Sequence, residues 1–527
     1  MSKNNSRTKN SVLNVATSIG GQLLLSILRF VTRTVFIQTL GKSYLGINGL
    51  FSDILSMLSL TELGMDTAIN FQLYKPLAEH DDHRVRVLMK FYRQAYFAIG
   101  TVILILGICL IPLLPRLIRD YDSLAAMHIN AVVIFVLYLF KSVSSYWFFA
   151  YRSAVMRANQ KEYILDVVDY AVTIIANIAE ILVLVWLRDF MVYTALALAF
   201  TVIQNLVNAK ISERYYPQFF EKEPDSLPKE EVIGLFKDCG ALFTYKANSV
   251  VLKATDNIVL SSFVGLTIVG LYSNYLLFFA TIRNFLVRIY TAVNASMGNL
   301  FATESLVKKY QFFQIMNFLT VLLYGTAGVG IAVCGDELIR VWVSDSYVIP
   351  QPFSILIGVE ILFNGLQSNL GQIRNVSGVF RQLWYRPILG IIINIVVSVG
   401  LVQVCGIYGV IIGTIVSMLF TIFLVDPWVI HKYSFQNYKP VSEYYKKNLI
   451  YFVILAVLCA ADMWLCGVFF VGHGWFSVIV HVIIVSTTVP GVFVLLFWNS
   501  HECKYLVQLT KRILGKVLKR IGRRASA

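Results

Sequence analysis

Fourteen stretches of about twenty or more mainly apolar residues constrain this chain more than any other feature, because each can cross a ~30 Å hydrocarbon core as a helix. They lie near 12–40, 44–73, 93–115, 124–150, 162–187, 190–213, 240–264, 267–296, 310–334, 353–374, 384–404, 407–431, 449–470 and 475–498. Lipid offers a bare backbone no hydrogen bonds, so runs of this length become helices. Hydrophobic residues fill 57% of the 527 positions and charged ones 14%, whereas a soluble domain carries about 25% charged residues. The sequence is therefore expected to be an all-α integral membrane protein.

Orientation follows from Lys and Arg, which concentrate in cytoplasmic segments. With the N-terminus inside, 33 of the 45 cations fall in inside segments and five (Lys42, Arg116, Arg119, Arg188 and Arg340) in outside loops. Both termini are thus expected in the cytoplasm. The net charge of +15 reads as topology and attraction to anionic lipid, with no nucleic acid implied. In the C-terminal tail, Leu506, Leu509, Ile513, Val517 and Ile521 alternate with Lys504, Lys511, Arg512, Lys516, Lys519, Arg520, Arg523 and Arg524. This suits an interfacial helix on the inner leaflet or a basic tail that only fixes topology.

The hairpin containing 29–70 recurs 224 residues later without gaps. Gly41 and Gly46 fall on Gly265 and Gly270, Arg29 falls on Lys253, and Thr67-Ala68-Ile69-Asn70 falls on Thr291-Ala292-Val293-Asn294. Only six positions are identical, so the weight lies in their clustering and in the matched hydropathy. Both hairpins start inside, which gives parallel six-span halves, a transporter plan with a site between the repeats. The boundaries drawn are 1–216 and 240–432 for the two lobes, 217–239 for a linker, 433–500 for two appended spans and 501–527 for the tail.

Charges inside the spans are costly and need a cavity or a partner. At 1.5 Å per residue, Arg29 and Lys253 each lie twelve residues before the glycine that ends their helix, near the midplane, and Arg283 lies thirteen after Gly270. Arg33 is shallower and could pair with Asp53. Lys141, Lys246 and Arg288 come out near the inner interface. Glu62 and Asp66 share a helix face, and Asp256 is a deep acid. The deep cations either line a wet cavity suited to phosphate, which Arg binds with two parallel hydrogen bonds, or pair structurally. Two polar stripes, Asp169-Thr173-Asn177-Glu180 and Glu360-Asn364-Gln367-Gly371, suit sugar hydroxyls or plain interhelical hydrogen bonding.

No phosphate-binding G-x-x-x-x-G-K-[ST] loop, metal cluster or catalytic triad is present. The seven cysteines form no C-x-x-C pair and imply no disulfide or metal framework. The histidines are scattered, and most are expected at solvent or interface positions.

Arg33-x-x-Phe36, the turn Leu40-Gly41-x-x-Tyr44-x-Gly46, Leu50-Phe51 and Glu62-x-Gly64-x-x-x-Ala68 resemble the Wzx-type polysaccharide flippases. Their superfamily also holds lipid II flippases and multidrug (MATE) exporters. The resemblance implies about fourteen helices in two six-helix lobes plus two C-terminal helices, forming a V-shaped transporter in the bacterial plasma membrane. It implies no enzyme activity and no cofactor. The implied substrate is an undecaprenyl-diphosphate-linked oligosaccharide moved from the inner to the outer leaflet, with polysaccharide polymerase and glycosyltransferases as partners. Residues carried over for the diphosphate are Arg29, Arg33, Lys253 and Arg283. Those for H⁺ or Na⁺ coupling are Glu62, Asp66 and Asp53. Asp169, Asn177, Glu180, Asp256, Glu360, Asn364 and Gln367 are expected to line the sugar path. Lipid II flipping, MATE-type export and a membrane polymerase are the alternatives.

Overall fold

The computed structural model describes residues 21, 24–59, 65–119, 121–126, 129–159, 161–220, 226–228, 230–232, 250–251, 254–469 and 474–511. Side chains at 65–71, 123, 125–126, 288–296, 299, 302 and 380–381 are outside this description. Among the described residues, ten helices are long and apolar enough to cross a membrane. An eleventh is formed if Ala131–Trp147 and Ala150–Ala158, bent by 40°, count as one span. These eleven coincide with eleven of the fourteen expected spans. The other three (12–40, 44–73 and 240–264) each include residues outside the description. The protein is an all-helical, multi-pass membrane protein.

The chain divides into two compact units, Met1–Ser273 and Asn274–Ala527. The first holds α1 (24–39), α2 (Lys42–Leu58), α3 (Met65–Glu79), α4 (Asp82–Leu110), α5 (Ala131–Trp147), α6 (Glu162–Trp186), α7 (Phe190–Tyr215) and α8 (254–263). The divide falls inside α9 (Leu266–Thr303). Helix starts follow from local chemistry, since a short polar side chain can accept from the unpaired first N–H groups. Asp81 accepts from Arg84 N, Asn130 from Val133 N, and Asp189 from both Met191 N and Val192 N.

The repeat is visible in the backbone. The α1–α2 break falls at Gly41 and the α8–α9 break at Gly265, with φ of 89° and 119°, a region open to glycine at little cost. The matched pieces also touch reciprocally within the first unit. A Cβ on Gly46 would lie 2.0 Å from the Leu266 carbonyl oxygen, and one on Gly270 would lie 2.2 Å from that of Lys42. Lys42 and Leu266 are themselves 224 residues apart, so the two helix starts cross about a local pseudo-two-fold. Small residues permit such backbone approach in membranes.

The second unit holds the rest of α9, α10 (Leu306–Trp342), α11 (Phe353–Ser377), α12 (Arg386–Cys405), α13 (Ile407–Tyr433), α14 (Val441–Phe469) and α15 (Trp475–Leu496). Helices α10 and α11 cross at Gly328 and Gly358, where either Cβ would meet the other's carbonyl oxygen within 2.5 Å. Helix α13 carries a π-helical segment, Leu419–Val425, immediately before Asp426. Phe318, Tyr451 and Phe493 bury α10, α14 and α15 against one another, so the two appended spans are part of this unit's core.

Beyond α15, Glu502 is 5% exposed and pairs with Lys447. Burial pushes the Glu502 carboxyl up, but the hydrogen bond from Lys447, a backbone hydrogen bond and the Lys447 charge together hold it below its ordinary value. A depressed acid contributes stability above its unfolded pKa of about 4.3 and loses it as pH falls through the folded value. Hydrogen exchange at 500–511, taken relative to the intrinsic rate at each pH, is therefore expected to stay slow at neutral pH and to accelerate below about pH 4. In Glu502→Gln it should be fast already at neutral pH.

Candidate functional site

In the first unit the sequence-expected residues fall into three settings. Arg29, on α1, is exposed and makes no ion pair among the described residues. Arg33, one turn later, is half-buried and donates to Ser273 Oγ. Asp53, 7% exposed on α2, accepts from Asn257 Nδ2 of α8. Asn257 occupies the position 224 residues beyond Arg33, so matched positions of the two repeats carry these contacts, with partners one helical turn apart in register: Ser273 matches Gly49, and the other partner is Asp53. They serve α1, α2, α8 and the start of α9 as polar stitches.

A second polar group lies on α5, α6 and α7. Thr32 donates to Asn177 Oδ1 at 2.8 Å, and Asn177 Nδ2 returns to the Thr173 carbonyl at 2.7 Å. Tyr138 donates to Asn48 Oδ1 at 2.6 Å. Glu180 and Lys141 are within electrostatic reach of each other, and Glu180 also acts on Tyr138 and Tyr193. Lys141 and Glu180 are both half-buried. Asp169 differs from the rest of its stripe: it accepts from Gln204 at 2.8 Å and Asn208 at 2.7 Å of α7, which uses it to join two helices.

Asp256 is buried, 5% exposed, on α8. Glu62 and Lys253 lie outside the described residues, as do Lys246 and the side chains of Asp66 and Arg288.

In the second unit Arg283 is exposed on α9, with its guanidinium 6.0 Å from the centre of the Phe279 ring. It makes no ion pair among the described residues but lies in electrostatic reach of Glu360. Glu360 is 8% exposed, and its Oε2 is buried without a hydrogen-bond partner. Asn364 spends its amide on the Glu360 backbone carbonyl, at 2.9 Å, and Gln367 is half-buried one turn on. Arg283 of α9 and Glu360 of α11 thus act on each other within the second unit.

Three buried polar groups escaped the sequence reading. Arg386 of α12 and Asp426 of α13 pair at 3.2 Å with side chains 4% and 2% exposed. Glu337 of α10 meets His481 of α15 at 2.7 Å, and Asp462 accepts from Thr488 at 2.8 Å. His431 and His481, 1% and 6% exposed, depart from the solvent or interface positions expected of most histidines. Neither the 3.6-residue period nor depth counting could reveal them, because each partner sits on a different helix. Six of the seven cysteines are described and all six are free; no metal-holding group of His, Cys, Asp and Glu occurs among the described residues.

No family model and no curated protein matches the sequence. Solved structures do match. An inward-facing multidrug-resistance MATE family transporter of the MOP superfamily aligns with a TM-score of 0.58 and 11% identity, over 79% of this chain and 96% of that one. The lipid II flippase MurJ, in an inward closed conformation, aligns with a TM-score of 0.60 and 13% identity, over 92% and 99%. At such identities the likeness speaks for fold. The chain has the all-helical membrane-transporter fold that MATE transporters and MurJ share.

Proposed function

We propose that the protein is a flippase for polyprenyl-diphosphate-linked oligosaccharides, of the Wzx kind, working by alternating access in a bacterial plasma membrane. The observation that carries this reading is Arg29, an exposed guanidinium on α1, within the expected span 12–40, with no acid paired to it among the described residues. A bare cation facing lipid is strongly disfavoured, so such a residue faces water or an anionic ligand. Arg283 repeats the situation in the second unit. Guanidinium groups suit phosphate oxygens, and Arg33 and Lys253 are assigned to the same role. Glu180, Asn177, Glu360 and Gln367 supply hydroxyl-binding groups. Coupling to H⁺ or Na⁺ is assigned to the first-half acids Glu62 and Asp66. Two exposed deep cations disfavour a cation exporter, whose path would be lined with acids.

The reading is tested by Arg29→Ala and Arg283→Ala in cells. Loss of a charged hydrogen bond of about 1.5–3 kcal/mol should cut polysaccharide export roughly tenfold or more at unchanged protein level. Lipid-linked precursor should accumulate inside, and Arg29→Lys should retain part of the activity. Normal export in both alanine variants would remove the phosphate role.

A further inference from the structure

A separate cavity of ≈ 140 Å³ lies between the starts of α10 and α14. Tyr310, Phe313 and Tyr444 form its aromatic wall, with the Phe313 and Tyr444 rings stacked at 5.7 Å. Asn317 lines it, 4% exposed, giving its Nδ2 to Asn448 Oδ1 at 3.2 Å while its own Oδ1 is buried with no partner. Such an acceptor is costly unless something donates to it. Glu443 and Lys447 stand at the rim. Glu443 has only a loose, half-exposed contact with Lys439 at 3.7 Å, and Lys447 is engaged by Glu502. Both Glu443 and Glu502 act on the Tyr310 hydroxyl.

We propose that this cavity binds a primary ammonium, as carried by the ethanolamine headgroup of a membrane phospholipid. An ammonium is attracted by aromatic faces and by the Glu443 carboxylate, and its N–H groups can satisfy Asn317 Oδ1. A quaternary ammonium has no N–H to give. Lys447, at the same rim, is placed to meet the adjoining phosphate. With both termini inside, as the charge bias expects, the starts of α10 and α14 lie at the level of the inner-leaflet headgroups. The site does not depend on the substrate cations Arg29 and Arg283.

The test is native mass spectrometry of the full-length protein released from mixed bilayers of phosphatidylethanolamine, phosphatidylcholine and phosphatidylglycerol with identical acyl chains. Wild type should retain the ethanolamine lipid over the choline lipid by roughly tenfold, the ratio one charge-assisted hydrogen bond supplies. Glu443→Gln, at an exposed rim position, should lower retention of the ethanolamine and choline lipids alike relative to phosphatidylglycerol while leaving the protein folded by circular dichroism, and Asn317→Leu should remove the preference for ethanolamine over choline. Displacement of the retained lipid by free phosphoethanolamine would also support the ammonium chemistry and show that a soluble source can fill the site. Equal retention of ethanolamine and choline lipids, a preference for phosphatidylglycerol, or unchanged retention of both ammonium-bearing lipids in Glu443→Gln would each overturn the proposal.

Discussion

Gly46→Ala and Gly270→Ala are each expected to destabilise the first unit by about 1–3 kcal/mol or more, the cost of forcing extra atoms into a packed contact. The added carbon would lie 2.0 Å from the Leu266 carbonyl oxygen in the first case and 2.2 Å from that of Lys42 in the second. Neither neighbour is a flexible side-chain tip, so the helices themselves must separate. The two sites form one reciprocal crossing, and the double variant should therefore cost less than the sum of the singles. Separation would also strain the stitches from Arg33 to Ser273 and from Asn257 to Asp53. Gly49→Ala, where the added carbon meets only the Val269 side chain at 3.6 Å, should be tolerated and serves as the control. Equilibrium unfolding of the purified protein in detergent measures all four variants.

Asp426→Ala should be the most damaging single change in the second unit. It would leave Arg386, whose side chain is 4% exposed, as an uncompensated charge in a membrane-spanning core. Breaking one side of a buried pair costs about 3–5 kcal/mol, whereas replacing both partners by apolar residues of similar volume is often neutral. Asp426→Ala is thus expected to abolish or nearly abolish folded protein, while the Arg386→Met/Asp426→Leu double variant should recover most of it. Arg374, which also acts on Asp426, would remain in the double variant and limits the recovery. Asp426 directly follows the π-helical segment Leu419–Val425, and such segments often mark functional sites. A double variant that is stable but inactive would assign the pair to motion, and one that is stable and active would assign it to assembly alone.

What the sequence revealed, and what it hid, follows from the range of each signal. Apolar length is a local property enforced by lipid, so eleven spans could be read directly. The repeat was legible because Gly41 and Gly265 perform the same backbone task, and the structure adds that Gly46 and Gly270 press on each other's partner. Depth counting located Arg29 and Arg283 along their helices but gave no azimuth. It could not tell that Arg33 reaches Ser273 or that Asp53 holds Asn257. The stripe on α6 was seen as one face, yet its members do different work: Asp169 ties α6 to α7, while Glu180 lies within electrostatic reach of Lys141. The pairs Arg386–Asp426 and Glu337–His481 were invisible because a lone ionisable residue in a span carries no mark of its partner. A single sequence records periodicity along a helix, not which helix lies beside it.

The central claim, that exposed guanidinium groups carry a diphosphate-linked glycan across the bilayer, is tested most directly by purified protein in proteoliposomes holding a fluorescent polyprenyl-diphosphate oligosaccharide. The label exposed to an outside quencher is followed over time, beside the same glycan on an uncharged polyprenyl alcohol. Wild type should re-equilibrate the diphosphate lipid between leaflets, and Arg29→Ala should slow it roughly tenfold or more, as loss of one charged hydrogen bond requires. The uncharged lipid should not move faster than in empty vesicles. Equal movement of both lipids, or movement of the diphosphate lipid unaffected by Arg29→Ala, would contradict the claim.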